Sequence, residues 1–233
     1  MNIVAVHQPN YLPWLGFFDK IVKCNTFVIL DDVQFPKSSR GTWTNRTRIL
    51  TPNGPAWITV PVQRPHGVQR IDQVRTVGEE WKRRHRTLIH QHYRKAPNYE
   101  TFSDFLDSVY APKDDDSLIA FNLNSLRLIL EVLGFSERVE LRLSSSLSVG
   151  STGSARLTEL VQLVGGDTYL CGGGSEGYLE PRLFQRAGIE LIFQNFVEPQ
   201  RAQAHSGQFI AGLSVIDSLL CAGRQATIET LVM

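Results

Sequence analysis

The chain has little cysteine: three in 233 residues, at Cys24, Cys171 and Cys221, far apart and with no pair at metal-ligand spacing. That excludes a disulfide-stapled scaffold and a zinc ribbon, and it predicts a reducing compartment. There is almost no charge excess, since 24 Lys and Arg face 23 Asp and Glu for a net +1. A basic nucleic-acid footprint or polybasic membrane surface is therefore not expected. No apolar run approaches the roughly 18 residues that span a bilayer. The opening residues lack a basic region, an apolar stretch and a small-residue cleavage site, so no export signal is expected. Internal repeats and low-complexity linkers are lacking too. No G-x-G-x-x-G with a downstream acid occurs, and no loop ends in Gly-Lys-Ser/Thr, so neither a dinucleotide fingerprint nor a P-loop is present. What these absences leave is a cytoplasmic globular protein with no metal, no bound cofactor, no nucleic acid and no membrane partner.

What is present reads as α/β. Asn2-Ile3-Val4-Ala5-Val6 is an apolar, β-branched run that predicts a buried strand. His7-Gln8-Pro9-Asn10-Tyr11-Leu12-Pro13-Trp14 follows as a turn stiffened by two prolines. Phe17, Phe18, Ile21 and Val22 then recur at helical spacing. Thr26-Phe27-Val28-Ile29-Leu30 is a second strand, which completes a βαβ unit with a parallel pair. Pro52-Asn53-Gly54 between an alternating run from Trp43 and the run 56–62 predicts an antiparallel hairpin, with flanking Pro52 and Pro55 favouring a longer loop. Residues about 79–134 carry three helical patterns: Trp81, His85, Leu88, Ile89 and His92 on one face, a second stripe over 99–110, and a third from Leu118 to Gly134. Strands at 139–143, 167–170 and 189–193 alternate with helices from Ser154 and over 180–187, and a helix from Ser214 closes the chain. The expected architecture is one α/β domain over 1–233: a mainly parallel sheet flanked by helices, with a hairpin and a helical lobe inserted at about 79–134.

The candidate site lies where the first strand ends, because open α/β sheets bind ligands outside the carboxyl ends of their strands. His7, Gln8, Asn10, Tyr11 and Trp14 cluster there, and such side chains are costly to bury without partners. Asp31 and Asp32 end the second strand at the same edge. Adjacent residues point to opposite faces, so one of the two either meets His7, fixing its tautomer and raising its basicity, or caps a turn or pairs with Lys37 or Arg40. Asn45, Arg46 and Arg48 are either an anion contact or the wet face of the hairpin. Ser151-Thr152-Gly153-Ser154 with Arg156 opens a helix as an anion cradle or an ordinary N-cap. Cys171-Gly172-Gly173-Gly174-Ser175-Glu176-Gly177-Tyr178 follows a strand and permits close backbone approach.

The run His7 to Ile21 resembles the opening of the WbqC-like protein family. Leu30-Asp31-Asp32-Val33-Gln34-Phe35, Asn45-Arg46-Thr47-Arg48, Trp57-Ile58-Thr59-Val60-Pro61-Val62 and Tyr93-Arg94-Lys95-Ala96-Pro97 are similar as well. So are Asn124, the Ser-rich loop with Arg156-Leu157, Thr168-Tyr169-Leu170, Tyr178-Leu179 and Leu213-Ser214-Val215-Ile216-Asp217. The resemblance covers nearly the whole chain. It implies an acyl or aminoacyl transferase of polysaccharide or natural-product pathways, with a small-molecule amine acceptor such as an amino sugar. The implied donor is a phosphopantetheine thioester on an acyl or peptidyl carrier protein. His7 would then be the general base, oriented by Asp31 or Asp32. Asn10, Tyr11 and Asn45 would position substrate or polarise its carbonyl. The wider substrate-binding set is Gln8, Trp14, Lys37, Arg48, Asn124, Arg156, Gly173 and Tyr178. Lys82, Arg83, Arg84 and Arg86 would dock the acidic carrier. Where the family pattern leads us to expect Asn-Cys-Gly, this chain has Cys221-Ala222-Gly223, which favours direct transfer over a Cys221 acyl-enzyme. A nucleotidyl-transferring or adenylate-forming enzyme is the alternative, although Gln8-Pro9 follows His7 with no second histidine of a His-x-Gly-His motif.

Overall fold

The computed structural model describes residues 1–36, 41–63, 67–112, 115–172, 179–205 and 207–232. β1 (Ile3–His7), α1 (Leu15–Val22) and β2 (Thr26–Ile29) form the βαβ unit, with Val4 opposite Thr26 and His7 opposite Ile29. The chain then leaves the sheet for the hairpin β3 (Arg46–Thr51) and β4 (Gly54–Thr59), followed by α2 (Glu80–Tyr93), α3 (Ser103–Tyr110) and α4 (Leu118–Leu133). It returns as β5 (Glu140–Leu143), α5 (Gly153–Leu163), β6 (Thr168–Gly172), α6 (Pro181–Arg186) and β7 (Glu190–Gln194). α7 (Val215–Cys221) and α8 (Gly223–Val232) follow.

The five-stranded sheet has the order β5-β2-β1-β6-β7, and each neighbouring pair is parallel. The fold is thus α/β, a parallel sheet flanked by helices with a separate antiparallel hairpin. Alternation along the strands divides the core in two. Ala5, Phe27, Ile29 and Leu170 join the larger cluster with Leu15, Phe17, Phe18 and Ile21 of α1. Val4, Val6, Val28, Tyr169 and Cys171 join the smaller one with Leu160, Val161 and Phe184. β1 is therefore covered on both faces, as a continuous apolar run requires.

Three local details differ from expectation. The hairpin closes on two residues, since Thr51 pairs with Gly54 across Pro52 and Asn53. Pro52 pre-sets one turn dihedral, and Gly54 takes a φ of +100° that lets the strands close without a longer loop. The stripe over 99–110 is a 3-10 turn, Glu100–Phe102, followed by α3. The terminal helix breaks after Ala222, where Gly223 adopts φ +87°.

β2 and β5 lie on one side of β1, and β6 and β7 on the other, so the winding reverses between β1 and β6. In doubly wound sheets this switch point is where a crevice opens for ligands. His7 closes β1 and Gly172 closes β6 at that place.

Candidate functional site at the sheet switch point

His7 is half-buried, edge-on to Phe17 with ring centroids 5.1 Å apart. Its Nδ1 lies 2.8 Å from the Gln8 carbonyl oxygen. A carbonyl only accepts, so Nδ1 carries the proton and, in the neutral ring, Nε2 carries the lone pair. Burial, reinforced by the Lys20 charge and opposed by the Gln8 hydrogen bond, pushes its pKa down to about 4. At neutral pH His7 is therefore an unprotonated imidazole of fixed tautomer.

Lys20 stands beside it. It is 5% exposed, and among the described residues it enters no ion pair; its neighbour Asp19 pairs instead with Lys23 at 2.5 Å and accepts from Gln194 at 2.7 Å. Burial lowers the Lys20 pKa against the pull of Cys171, Cys24 and Asp19. A β-carbon added to Gly172 would lie 3.2 Å from Nζ, so a glycine ending β6 leaves room for this ammonium. Lys20 was missed as a site residue by sequence reasoning. The available signal was a lysine placed three residues after Phe17 on a helix face that is otherwise apolar.

The aspartates do not reach His7. Asp31 accepts from Ser144 Oγ at 3.1 Å, the Ser145 backbone N–H at 2.9 Å and Ser145 Oγ at 2.6 Å. Asp32 accepts from Ser144 and takes both oxygens to Arg156 Nη2 at 2.6 Å. Burial raises the Asp32 pKa, but the Ser144 and Arg156 hydrogen bonds and the Arg156 charge outweigh it and leave the carboxyl below its ordinary value. The orienting role expected of a carboxylate is held by the Gln8 carbonyl. Ser144 and Ser145, in the loop after β5, are structural partners of the two acids. The loop that opens α5 is spent internally too: Ser151 Oγ donates to Glu159 at 2.8 Å, Ser154 Oγ accepts from Glu180 N at 2.9 Å, and Arg156 is held by Asp32 and the Val149 carbonyl.

The turn after His7 is wired to distant segments. Leu12 holds φ +39° while its carbonyl accepts from Thr47 Oγ1 at 3.0 Å and Ser214 Oγ at 2.9 Å. The Tyr11 N–H donates to the Trp43 carbonyl at 2.9 Å, and Pro13 O accepts from Val215 N at 2.8 Å. Asn10 is buried. Tyr11 is fully buried, its hydroxyl 2.8 Å from His85 Nδ1 and 2.7 Å from Tyr110 Oη. It braces α2 and α3 rather than facing a ligand. Gln8 and Trp14 are half-buried, and Trp14 meets Phe196 edge-on at 5.8 Å.

Asn45 is spent on its own turn, accepting from Thr42 N at 2.8 Å and donating to Val60 O at 3.0 Å. Arg48 binds the carbonyls of Ala211 at 2.7 Å and Gly212 at 3.2 Å. Asn124 is half-buried on α4. Lys37, Gly173 and Tyr178 lie outside the described residues. Of the basic cluster on α2, Lys82 is buried against Glu79 at 2.6 Å, and Arg86 is taken by Asp107, Tyr99 and Ser103 at 2.6–3.0 Å. Arg83 and Arg84 stay exposed on a groove of about 860 Å³ that Trp57, Trp81 and His85 also line. Among the described residues no three His, Cys, Asp or Glu side chains are grouped to hold a metal, and no helix is long and apolar enough to cross a membrane.

Comparison with known proteins gives a match to the model of the WbqC-like protein family over residues 8–229. The uncharacterized protein Rv1507c of Mycobacterium tuberculosis (strain ATCC 25618 / H37Rv) is 31% identical over 229 residues, which is 97% of this chain and 96% of that one. No solved structure matches.

Proposed function

The chain belongs to the WbqC-like protein family, and on that premise we propose that it transfers an acyl or aminoacyl group from a carrier-protein thioester to an amine acceptor, such as an amino sugar. The observation that carries the reading is a neutral His7 with its lone pair on Nε2 at the sheet switch point, beside an ammonium that enters no ion pair among the described residues. The acceptor nitrogen attacks the thioester carbonyl while Nε2 removes its proton. Lys20 balances the charge that develops on the carbonyl oxygen. The C–S bond then breaks, the carrier thiolate leaves, and the imidazolium returns the proton to it. Arg83 and Arg84, exposed on their groove, suit the approach of an acidic carrier.

Burial pushes the Cys221 thiol up to about 12, aided by Asp217, which keeps it protonated and supports transfer without an acyl-enzyme. The test is intact-mass spectrometry of loaded carrier mixed with protein and amine. Unloading above the buffer control is expected, and none for any pathway-encoded carrier would overturn the proposal.

A second reading, a nucleotide-binding transferase or adenylate-forming enzyme, is favoured by the doubly wound strand order and by Lys20 at its switch point. It requires that ATP with magnesium raise the melting temperature of a protein that unloads no carrier.

A further inference from the structure

A second cavity, about 680 Å³, opens where the end of α2 meets the hairpin turn and segment 202–205, and none of its lining residues belongs to the switch-point site. His92, Arg94 and Lys95 enter it from the α2 end, His205 enters from the later segment, and among the described residues no acidic side chain lines it. Among the described residues neither Arg94 nor Lys95 forms an ion pair, whereas Arg86, Arg156 and Arg201 each hold a carboxylate. The His92 and His205 rings meet edge-to-face, at 78° with centroids 6.2 Å apart. His205 holds φ +56°, a conformation that costs a residue with a β-carbon about 1 kcal/mol or more and concentrates at binding sites. Ala96, Pro97, Ala202 and Cys221 supply an apolar part of the remaining wall, to which Gln91 and Gln203 also contribute.

A helix carboxyl end attracts cations, which accounts for Arg94 and Lys95. It does not account for a second histidine brought up from another segment by a strained backbone, or for the lack of an acid among the described residues that line the cavity. We propose that this cavity binds a phosphate monoester with a short apolar body, its anionic head held by Arg94, Lys95 and the two imidazoles and its body against the Cys221 wall. Cavities of this size hold small-molecule ligands in general. The site stands whether or not His7 transfers an acyl group.

The anion couples to protonation. The titratable groups that line the cavity with His92 are His205, whose ring meets it, Arg94, Lys95 and the Cys221 thiol, which stays neutral; Asp217, which acts on Cys221, is paired with Arg201 at 2.6 Å. Burial and then His205 lower the His92 pKa, and a bound anion opposes the second effect. Binding therefore strengthens as pH falls and His92 gains its proton. Butyl sulfate is the probe for this dependence because its own charge is constant, with butyl phosphate as the ligand analogue. Butyl sulfate is expected to bind about tenfold tighter at pH 6 than at pH 8. The NMR titration of His92, assigned with His92→Gln, should move to higher pH in its presence, and Arg94→Gln with Lys95→Gln should weaken binding about tenfold. Both cations are exposed, so the fold is not at stake. Affinity that ignores pH and both substitutions, inorganic sulfate binding as tightly as the butyl ester, or a shift of His7 in place of His92 would each overturn the proposal.

Discussion

At His7 the decisive contact is with a backbone carbonyl. The Gln8 oxygen holds Nδ1–H at 2.8 Å, and this leaves Nε2 as acceptor with no carboxylate partner among the described residues. Replacing the ring by an amide in His7→Gln should lower the rate of the proposed transfer about 10²–10⁴-fold, the usual worth of a general base, while the melting temperature stays near wild type. The pH profile follows from the direction of the shift. With a pKa about 4, His7 is already unprotonated through the neutral range. After allowance for the acceptor amine, the acid limb of kcat/KM should lie near pH 4, and a limb near 6.5 would contradict the buried neutral ring. Lys20 lowers the His7 pKa, so Lys20→Met should raise it, which histidine NMR titration would register as a midpoint moved to higher pH. The place of His7 at the end of β1 was legible because a histidine after a β-branched run is a local signal. The carbonyl that orients it was not, since any backbone offers one.

Among elements, the short-range patterns were the readable ones. The βαβ unit, the hairpin and the strands at 139–143 and 189–193 follow from periodicity and turn residues a few positions apart. The partners of Asp31 and Asp32 were not readable, because Ser144 and Arg156 lie 112 and 124 residues from Asp32 and only the parallel β2–β5 pairing brings that loop alongside. The pair is shielded, with side chains 13% and 12% exposed. Arg156→Met strands a largely buried carboxylate and should cost about 2 kcal/mol, less than for a fully buried pair. Because the Asp32 pKa is lowered on folding, this stabilisation is present above the ordinary carboxylate range and lost as pH falls through the lowered value. The melting-temperature gap between wild type and Arg156→Met should therefore narrow in acid, and a gap that widens would rule out the ion pair as its source. Gly166 shows a second kind of illegibility. Its place after a helix reads as a stop signal, yet an added β-carbon would lie 2.4 Å from Val4 Cγ2 and 2.9 Å from Val161 Cγ1. Gly166→Ala should destabilise by about 1–3 kcal/mol in urea titration through overpacking between α5 and β1.

Across the molecule, one buried network joins the hairpin, α2, α7 and the segment before α7. Leu50 N donates to Tyr93 Oη at 2.8 Å, Tyr93 donates to Asp217 at 3.1 Å, and Arg201 holds Asp217 at 2.6 Å and Glu198 at 3.0 Å. Asp217→Ala would leave the Arg201 charge with Glu198 alone and should cost about 3–5 kcal/mol, read from thermal or urea unfolding. The α/β class was legible from alternation of strands and helices, whereas the reversal of winding between β1 and β6 arises from pairings that sequence periodicity does not encode. That reversal turns a histidine at a strand end into a candidate site, by placing it with Lys20 and Gly172 at one sheet edge. The most direct measurement compares loaded-carrier masses after incubation with an amine and either wild-type protein or folded His7→Gln. Rapid unloading with amide formation by the wild type and a loss of about 10²-fold or more in the variant is the predicted result. Equal unloading by both, or none beyond buffer by either, would contradict it.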